Sequence, residues 1–131
     1  MAAPGETDLE AMLASLAVTR RDGVFTFVET PRPDASALAR AHAVVVEDES
    51  TTIVLTVDDA AELGLDGPVE MAWLSLTVRS SLEAVGLTAA FSATLAGVGI
   101  ACNVLAGFHH DHLLVPVERA DEAIRALTER T

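Results

Sequence analysis

Hydrophobic and polar positions change their period several times along the chain, and each change predicts an element. Leu9, Met12, Leu13 and Leu16 recur at i, i+3, i+4 and i+7, an apolar stripe that predicts a helix. Thr7 caps it, and Glu10 three residues on completes a capping box. After the Asp22-Gly23 turn signal the pattern becomes that of a strand, Val24 to Glu29 (VFTFVE), rich in β-branched and aromatic residues. Pro31 and Pro33 end it and predict a loop or short turn through Ala41. Two short apolar runs, Ala43 to Glu47 (AVVVE) and Thr52 to Val57 (TIVLTV), flank Asp48-Glu49-Ser50-Thr51 and predict a hairpin. Asp58 is the expected cap of a short helix, 59–63, closed by Gly64.

The second half opens with a strand over 69–78 (VEMAWLSLTV), after the Asp66-Gly67-Pro68 turn. A helix follows with Leu87, Phe91, Leu95 and Val98 on one face, surrounded by Ala89, Ala90, Ala93 and Ala96. Small residues let such a helix lie close on a sheet. Gly97 and Gly99 end it; strands over 100–107 and 112–117 come next, joined across Phe108 to Asp111. A last helix starts at Glu118 or Asp121, with Ala120, Ala123, Ile124 and Leu127 inward and Arg125 and Arg130 near its negative end. The halves therefore echo each other: strand, connection, two strands, helix. This predicts an α+β fold of antiparallel sheets with helices on one face. Each half, 1–68 and 69–131, lacks the final strand of a full βαββαβ unit. Each is expected to borrow one from the other, giving two intertwined subdomains.

Composition narrows the function classes. The 131 residues suit one compact domain or two small halves sharing a core, and an apolar fraction of 50% is ample for burial. Twenty Asp and Glu stand against eight basic residues, all Arg, for a net charge of −12. Such a chain is repelled by phosphate backbones and anionic lipid, so neither nucleic acid nor a membrane is an expected partner. A single cysteine, Cys102, excludes an internal disulfide framework and fits a reducing compartment. The start, MAAPGETDLE, is acidic where a signal peptide is basic. The apolar stretch Leu87 to Leu105 is broken by Gly97 and Gly99 and carries Ser92, Thr94 and Asn103, unlike a transmembrane span. The expected location is the cytoplasm.

Three groups could carry chemistry. The loop Ser80 to Thr88 offers hydroxyls (Ser80, Ser81, Thr88) and backbone N–H groups at a helix start, which favour a carboxylate, while Glu83 could receive an amino group. The same residues also read as a capping box, Ser80 with Glu83, that only starts a helix. His109-His110-Asp111-His112 has zinc-ligand residue types, but neighbours in a strand point to opposite faces. A polar turn is the stronger reading, and no metal or cofactor is expected. Cys102 has no basic neighbour to lower its pKa and reads as a buried structural thiol. Trp73, in an alternating strand, reads as core or interface. Asp48-Glu49 and Glu118-Asp121-Glu122 read as solvated surface. No nucleophile–base constellation stands out, so no catalytic residue is expected.

The stretch TVRSSLEAVGLTAAFSATLAGVGIACNVLAGFHHDHLLVPVERADEAIRAL (77–127) resembles the ACT domain, the small-molecule-binding regulatory module of amino-acid metabolism. The shared order is a strand, a Gly-containing ligand loop (SSLEAVGLTA), a helix ending before Gly99-Ile100, and two strands about a turn. With Glu6-Thr7-Asp8-Leu9, Gly23-Val24-Phe25 and His110-Asp111-His112-Leu113, the resemblance covers nearly the whole chain and is to short bacterial ACT-like proteins. It implies a ferredoxin-like βαββαβ fold, side-by-side sheet pairing with a homodimer as the expected assembly, an amino-acid-like ligand and no reaction. By that resemblance the ligand-binding residues are Ser80, Ser81, Glu83, Gly86, Leu87, Thr88, Asn103, Asp111 and His112. Asp111 matches an acidic position of related arginine-sensing modules. The usual asparagine directly after Gly-Ile is replaced here by Ala101 and Cys102, with Asn103 later.

Overall fold

The computed structural model describes residues 16–77 and 86–129, so the expected N-terminal helix and most of the Ser80 to Thr88 loop lie outside the described residues. The chain divides into two compact units, residues 22–72 and residues 1–21 with 73–131. Both are ferredoxin-like.

In the unit 22–72, strand β2 (Phe25–Thr30) leads through helix α1 (Ala35–Arg40) to β3 (Ala43–Val46), β4 (Thr51–Thr56) and helix α2 (Val57–Glu62). β4 lies between β2 and β3 and is antiparallel to both, with Val28 opposite Ile53 and Val44 opposite the same residue. Met71 pairs with Phe25 on the other side of β2. The order Met71, β2, β4, β3 is the 4-1-3-2 order of the βαββαβ unit. Period-2 alternation puts Val28, Ile53 and Leu55 on one face, where they pack with Ala37 of α1 and Ala60 of α2.

Local chemistry departs from the sequence reading at two places. The segment after Pro33 is not a loop: Asp34 accepts the Ala37 N–H at 2.8 Å and starts α1. The cap of α2 is Thr56 rather than Asp58; its hydroxyl accepts from the Asp59 N–H, and Asp58 and Asp59 fall in the first turn. The expected hairpin is present, as β3 and β4.

In the second unit, β5 (Met71–Thr77) enters from Trp73 onward and is followed by α3 (Leu87–Gly97), β6 (Asn103–Ala106), β7 (Asp111–Pro116), a 3₁₀ turn (117–119) and α4 (Ala120–Thr128). The fourth strand comes from the start of the chain. β1 (Ala17–Arg20) runs antiparallel to β5, with Ala17 opposite Thr77 and Arg20 opposite Leu74, which completes the order β1, β5, β7, β6. The C-terminal half thus obtains its missing strand from the N-terminal segment. Arg20 reaches Asp121 of α4 at 3.9 Å, so the face of β5 carrying Leu74 and Leu76 is the helix-covered one. Leu87, Phe91 and Leu95 of α3 and Ala120, Ala123 and Leu127 of α4 are buried. Val98, expected to extend the apolar face of α3, is 42% exposed because the helix has ended. Gly99, at φ 74°, occupies the left-handed position, where the Gly99 N–H bonds Ala96 O and the Ile100 N–H bonds Leu95 O, both at 3.0 Å. This Schellman closure folds Ile100 back into the core. Gly64 closes α2 in the same way, with the Leu65 N–H on Ala60 O at 2.8 Å.

Candidate functional site

The alternation that sends Leu74 and Leu76 toward the helices sends Trp73 and Ser75 to the opposite face of β5, next to β7. There His112 meets both. The Trp73 indole N–H donates to His112 Nδ1 at 3.2 Å, and Ser75 Oγ lies 2.8 Å from the same nitrogen. An indole can only donate, so Nδ1 accepts and the imidazole proton sits on Nε2. The Arg21 guanidinium stacks on the outer face of the Trp73 ring, 4.2 Å from its centroid. Burial holds the His112 pKa below its ordinary value, and the positive charges of Arg21 and His110 push the same way against Asp111.

His112 Nε2 faces the turn between β6 and β7. A Cβ at Gly107 would stand 3.0 Å from that nitrogen and 2.9 Å from the His110 carbonyl, so the ring is seated where only a glycine leaves room. Beyond it the turn is open: Phe108 is 79% exposed, and His109 and His110 are also exposed. The His110 and His112 ring centroids are 6.3 Å apart. Among the described residues no group of three or more His, Cys, Asp or Glu is placed to hold a metal ion. The Ser75–His112 contact has the residue types of a nucleophile and its base, but Trp73 already occupies the Nδ1 lone pair that would accept the serine proton. The arrangement instead fixes a neutral histidine that presents an N–H donor.

The remaining sequence-predicted residues distribute as follows. Gly86, at φ 93°, is the N-cap of α3 and has no side chain to cap it; Leu87 is buried and Thr88 exposed. A helix that begins at Leu87 excludes Ser80 and Glu83 as its capping box. Ser80, Ser81 and Glu83 lie outside the described residues. A strand running up, a helix returning and a second strand running up put the end of β5, the start of α3 and the β6–β7 turn at one end of the unit. Asp111 and His112 are at that end. Asn103 is at the other, opposite Leu114, whereas Ala106 is opposite Asp111. Cys102 is half-buried, and burial pushes its thiol pKa up, away from thiolate reactivity. The Trp73–Ser75–His112 contact escaped the sequence reading. Its one signal was a serine at the tryptophan's period inside an otherwise apolar strand.

Two family models, both described as ACT domain, match the chain, one over residues 4–71 and the other over 69–129. No curated protein matches. Among solved structures, a Vibrio cholerae protein of unknown function, described as a possible transport protein, is 38% identical with a TM-score of 0.87, covering 95% of this chain and 97% of that one. An Agrobacterium tumefaciens protein is 15% identical with a TM-score of 0.63, covering 87% of each chain. The regulatory subunit of aspartate kinase from Thermus thermophilus, in its ligand-free form, is 15% identical with a TM-score of 0.57 over 87% of this chain and 95% of that one. These last two likenesses are of fold. Among the described residues no helix is long and apolar enough to cross a membrane.

Proposed function

The chain belongs to the ACT-domain family, and on that premise we propose that it is a non-catalytic regulatory module of the cytoplasm that binds an amino acid or a related small metabolite. One observation carries the reading for the second unit. The first turn of α3 begins at a glycine without a capping side chain, at the same end of the fold as Asp111 and the Nε2–H of His112. Backbone donors at an 11-residue helix start suit the α-carboxylate of an amino acid. Asp111, and Glu83 shortly before α3 in sequence, suit its ammonium group. The regulatory-subunit likeness supports the regulatory sense.

Thermal-shift measurements across the amino acids, followed by calorimetry on any that stabilise, test this. A ligand present at 100 times its Kd stabilises by about 2.7 kcal/mol, a Tm shift of several degrees. Asp111→Asn removes that shift without lowering the Tm of the free protein. If millimolar concentrations of every amino acid leave Tm unchanged, the reading fails. A second reading, a module that assembles into a homodimer without ligand, is favoured by the edge strand β3, whose Val44, Val45 and Val46 are 43%, 45% and 79% exposed.

A further inference from the structure

His112 is held by two donors on one nitrogen. The Trp73 indole N–H donates to Nδ1 at 3.2 Å, and the Ser75 hydroxyl lies 2.8 Å from the same atom. A proton on Nδ1 would meet the indole hydrogen head-on, so the ring carries its proton on Nε2. The indole is itself held, by the Arg21 guanidinium 4.2 Å from its centroid. Among the described residues Nε2 meets no hydrogen-bond acceptor. It lies under Gly107, where a Cβ would come within 3.0 Å of it and the bare Cα leaves it open to the exposed turn 107–110. Asp111 and His112, the first two residues of β7, alternate to opposite faces at the end of that strand.

We propose that Trp73 and Ser75 are positioning residues that make His112 an obligate hydrogen-bond donor, and that the ligand is an amino acid whose side chain ends in a carbonyl or carboxylate oxygen. The ligand class rests on the amino-acid reading above. On that reading the α-carboxylate meets the start of α3 and the ammonium group meets Asp111, on one side of the strand end. The side chain crosses that end toward His112, where it finds an N–H and no acceptor. Lysine or arginine would bring a donor to a donor. An apolar side chain would take water from the Nε2–H without replacing its hydrogen bond, which a site built around a donor penalises. Asparagine, aspartate, glutamine and glutamate all carry the acceptor. The opening left by Gly107 is the path by which that oxygen reaches Nε2.

Long-range proton–nitrogen correlation spectra of the nitrogen-15-labelled protein, at about pH 7.5 and so above the ordinary histidine range, read the tautomer directly. His112 is assigned by the signal that His112→Gln removes. Its proton resides on Nε2, and Trp73→Phe combined with Ser75→Ala moves both ring nitrogens toward the values of a freely exchanging imidazole. Calorimetric titrations then compare asparagine, aspartate, glutamine and glutamate with leucine, methionine, lysine and arginine. The first four bind about tenfold tighter or more, the contribution of one hydrogen bond. His112→Phe abolishes that preference. His112→Gln, which returns an amide N–H to the place of Nε2, retains it, and Gly107→Ala, whose Cβ covers Nε2, reduces it without moving the tautomer. Glutamine against glutamate separates a neutral acceptor from an anionic one, and either ranking supports the class. A proton on Nδ1, ring nitrogens unmoved in the double variant, or a preference that survives His112→Phe overturns the inference. Lysine, arginine, leucine or methionine binding as tightly as the four overturns it too, and leaves the amino-acid reading intact. Binding of no amino acid overturns that reading and the ligand class with it, while the spectra still decide the roles of Trp73 and Ser75.

Discussion

Two side chains show how a single buried polar atom sets a testable energy. Thr26 is 2% exposed, faces the helix side of β2, and its Oγ1 meets no hydrogen-bond partner among the described residues. Gly67 presses on it so closely that a Cβ there would lie 1.9 Å from the hydroxyl. Thr26→Val keeps the shape and removes the orphaned oxygen, so it is expected to raise unfolding stability by about 1 kcal/mol in urea titrations; a loss of stability would mean the hydroxyl has a partner. His112 gives a pH dependence. Its folded-state pKa is depressed, so above the ordinary histidine value of about 6.5 both states are neutral and its contribution is fully present. Below that value the unfolded chain takes up the proton first, and stability is lost as pH falls toward the folded-state pKa. The urea midpoint should therefore fall between pH 8 and pH 5.5 by less in His112→Gln than in the wild type. Equal falls would remove His112 from the account. The contacts of neither side chain were legible beforehand, although His112 itself stood out as a candidate. Oγ1 is stranded by the close pass of Gly67, from 41 residues away in sequence (67 − 26), and the His112 partners lie on a different strand.

At the scale of elements, what the sequence could reveal depended on how many residues repeat a period. The strands β2, β4, β5 and β7 hold six or seven residues each, enough for their alternation or their apolar run to stand out. Helix α1 has six residues, of which only Ala37 is buried, so no apolar stripe could betray it between Pro33 and the valines of β3. Its one local signal is Asp34, placed to cap Ala37. For α2 the cap was legible but ambiguous, since Thr56, Asp58 and Asp59 are all capping types and only the geometry selects Thr56. Short helices depend strongly on such caps, because each is too short to be stable by propensity. Asp34→Ala and Thr56→Ala should each lower stability by about 1 kcal/mol, with Asp58→Ala well below that, measured as shifts of the urea midpoint at constant slope. If Asp58→Ala costs as much as Thr56→Ala, the cap assignment is wrong. In the candidate site, the start of α3 and the residues Asp111 and His112 were legible as polar punctuation around glycines. Asn103 was not separable from them, because only the strand register shows it at the far end of β6.

Across the whole molecule, the division of charge is uneven in a way the net value of −12 hides. The unit 22–72 contains 11 acidic and 2 basic residues, a net charge of −9 (2 − 11), while residues 1–21 with 73–131 hold 9 acidic and 6 basic residues, a net of −3 (6 − 9). Arg119 shows how the second unit uses its cations. It donates to Glu122 at 2.6 Å and to the Val98 carbonyl at 2.9 Å, tying the end of α3 to the start of α4. In the unit 22–72, Arg40 bridges α1 to Asp59 and Glu62 of α2, and Arg32 is the second of its two basic residues. Self-repulsion of this unit opposes its compact state, and salt relieves it within a Debye length of about 10 Å at 0.1 M. Thermal stability should therefore rise with sodium chloride by about 2–5 °C, the equivalent of roughly 1 kcal/mol for a chain of this size. Glu49→Lys exchanges one negative for one positive charge and takes the net charge from −12 to −10. It should raise Tm at low salt and leave it nearly unchanged at high salt, where screening has already removed the repulsion. An equal effect at both salt concentrations would mean that Glu49 acts through a local contact in its hairpin, and that the excess charge of the unit 22–72 does not limit stability.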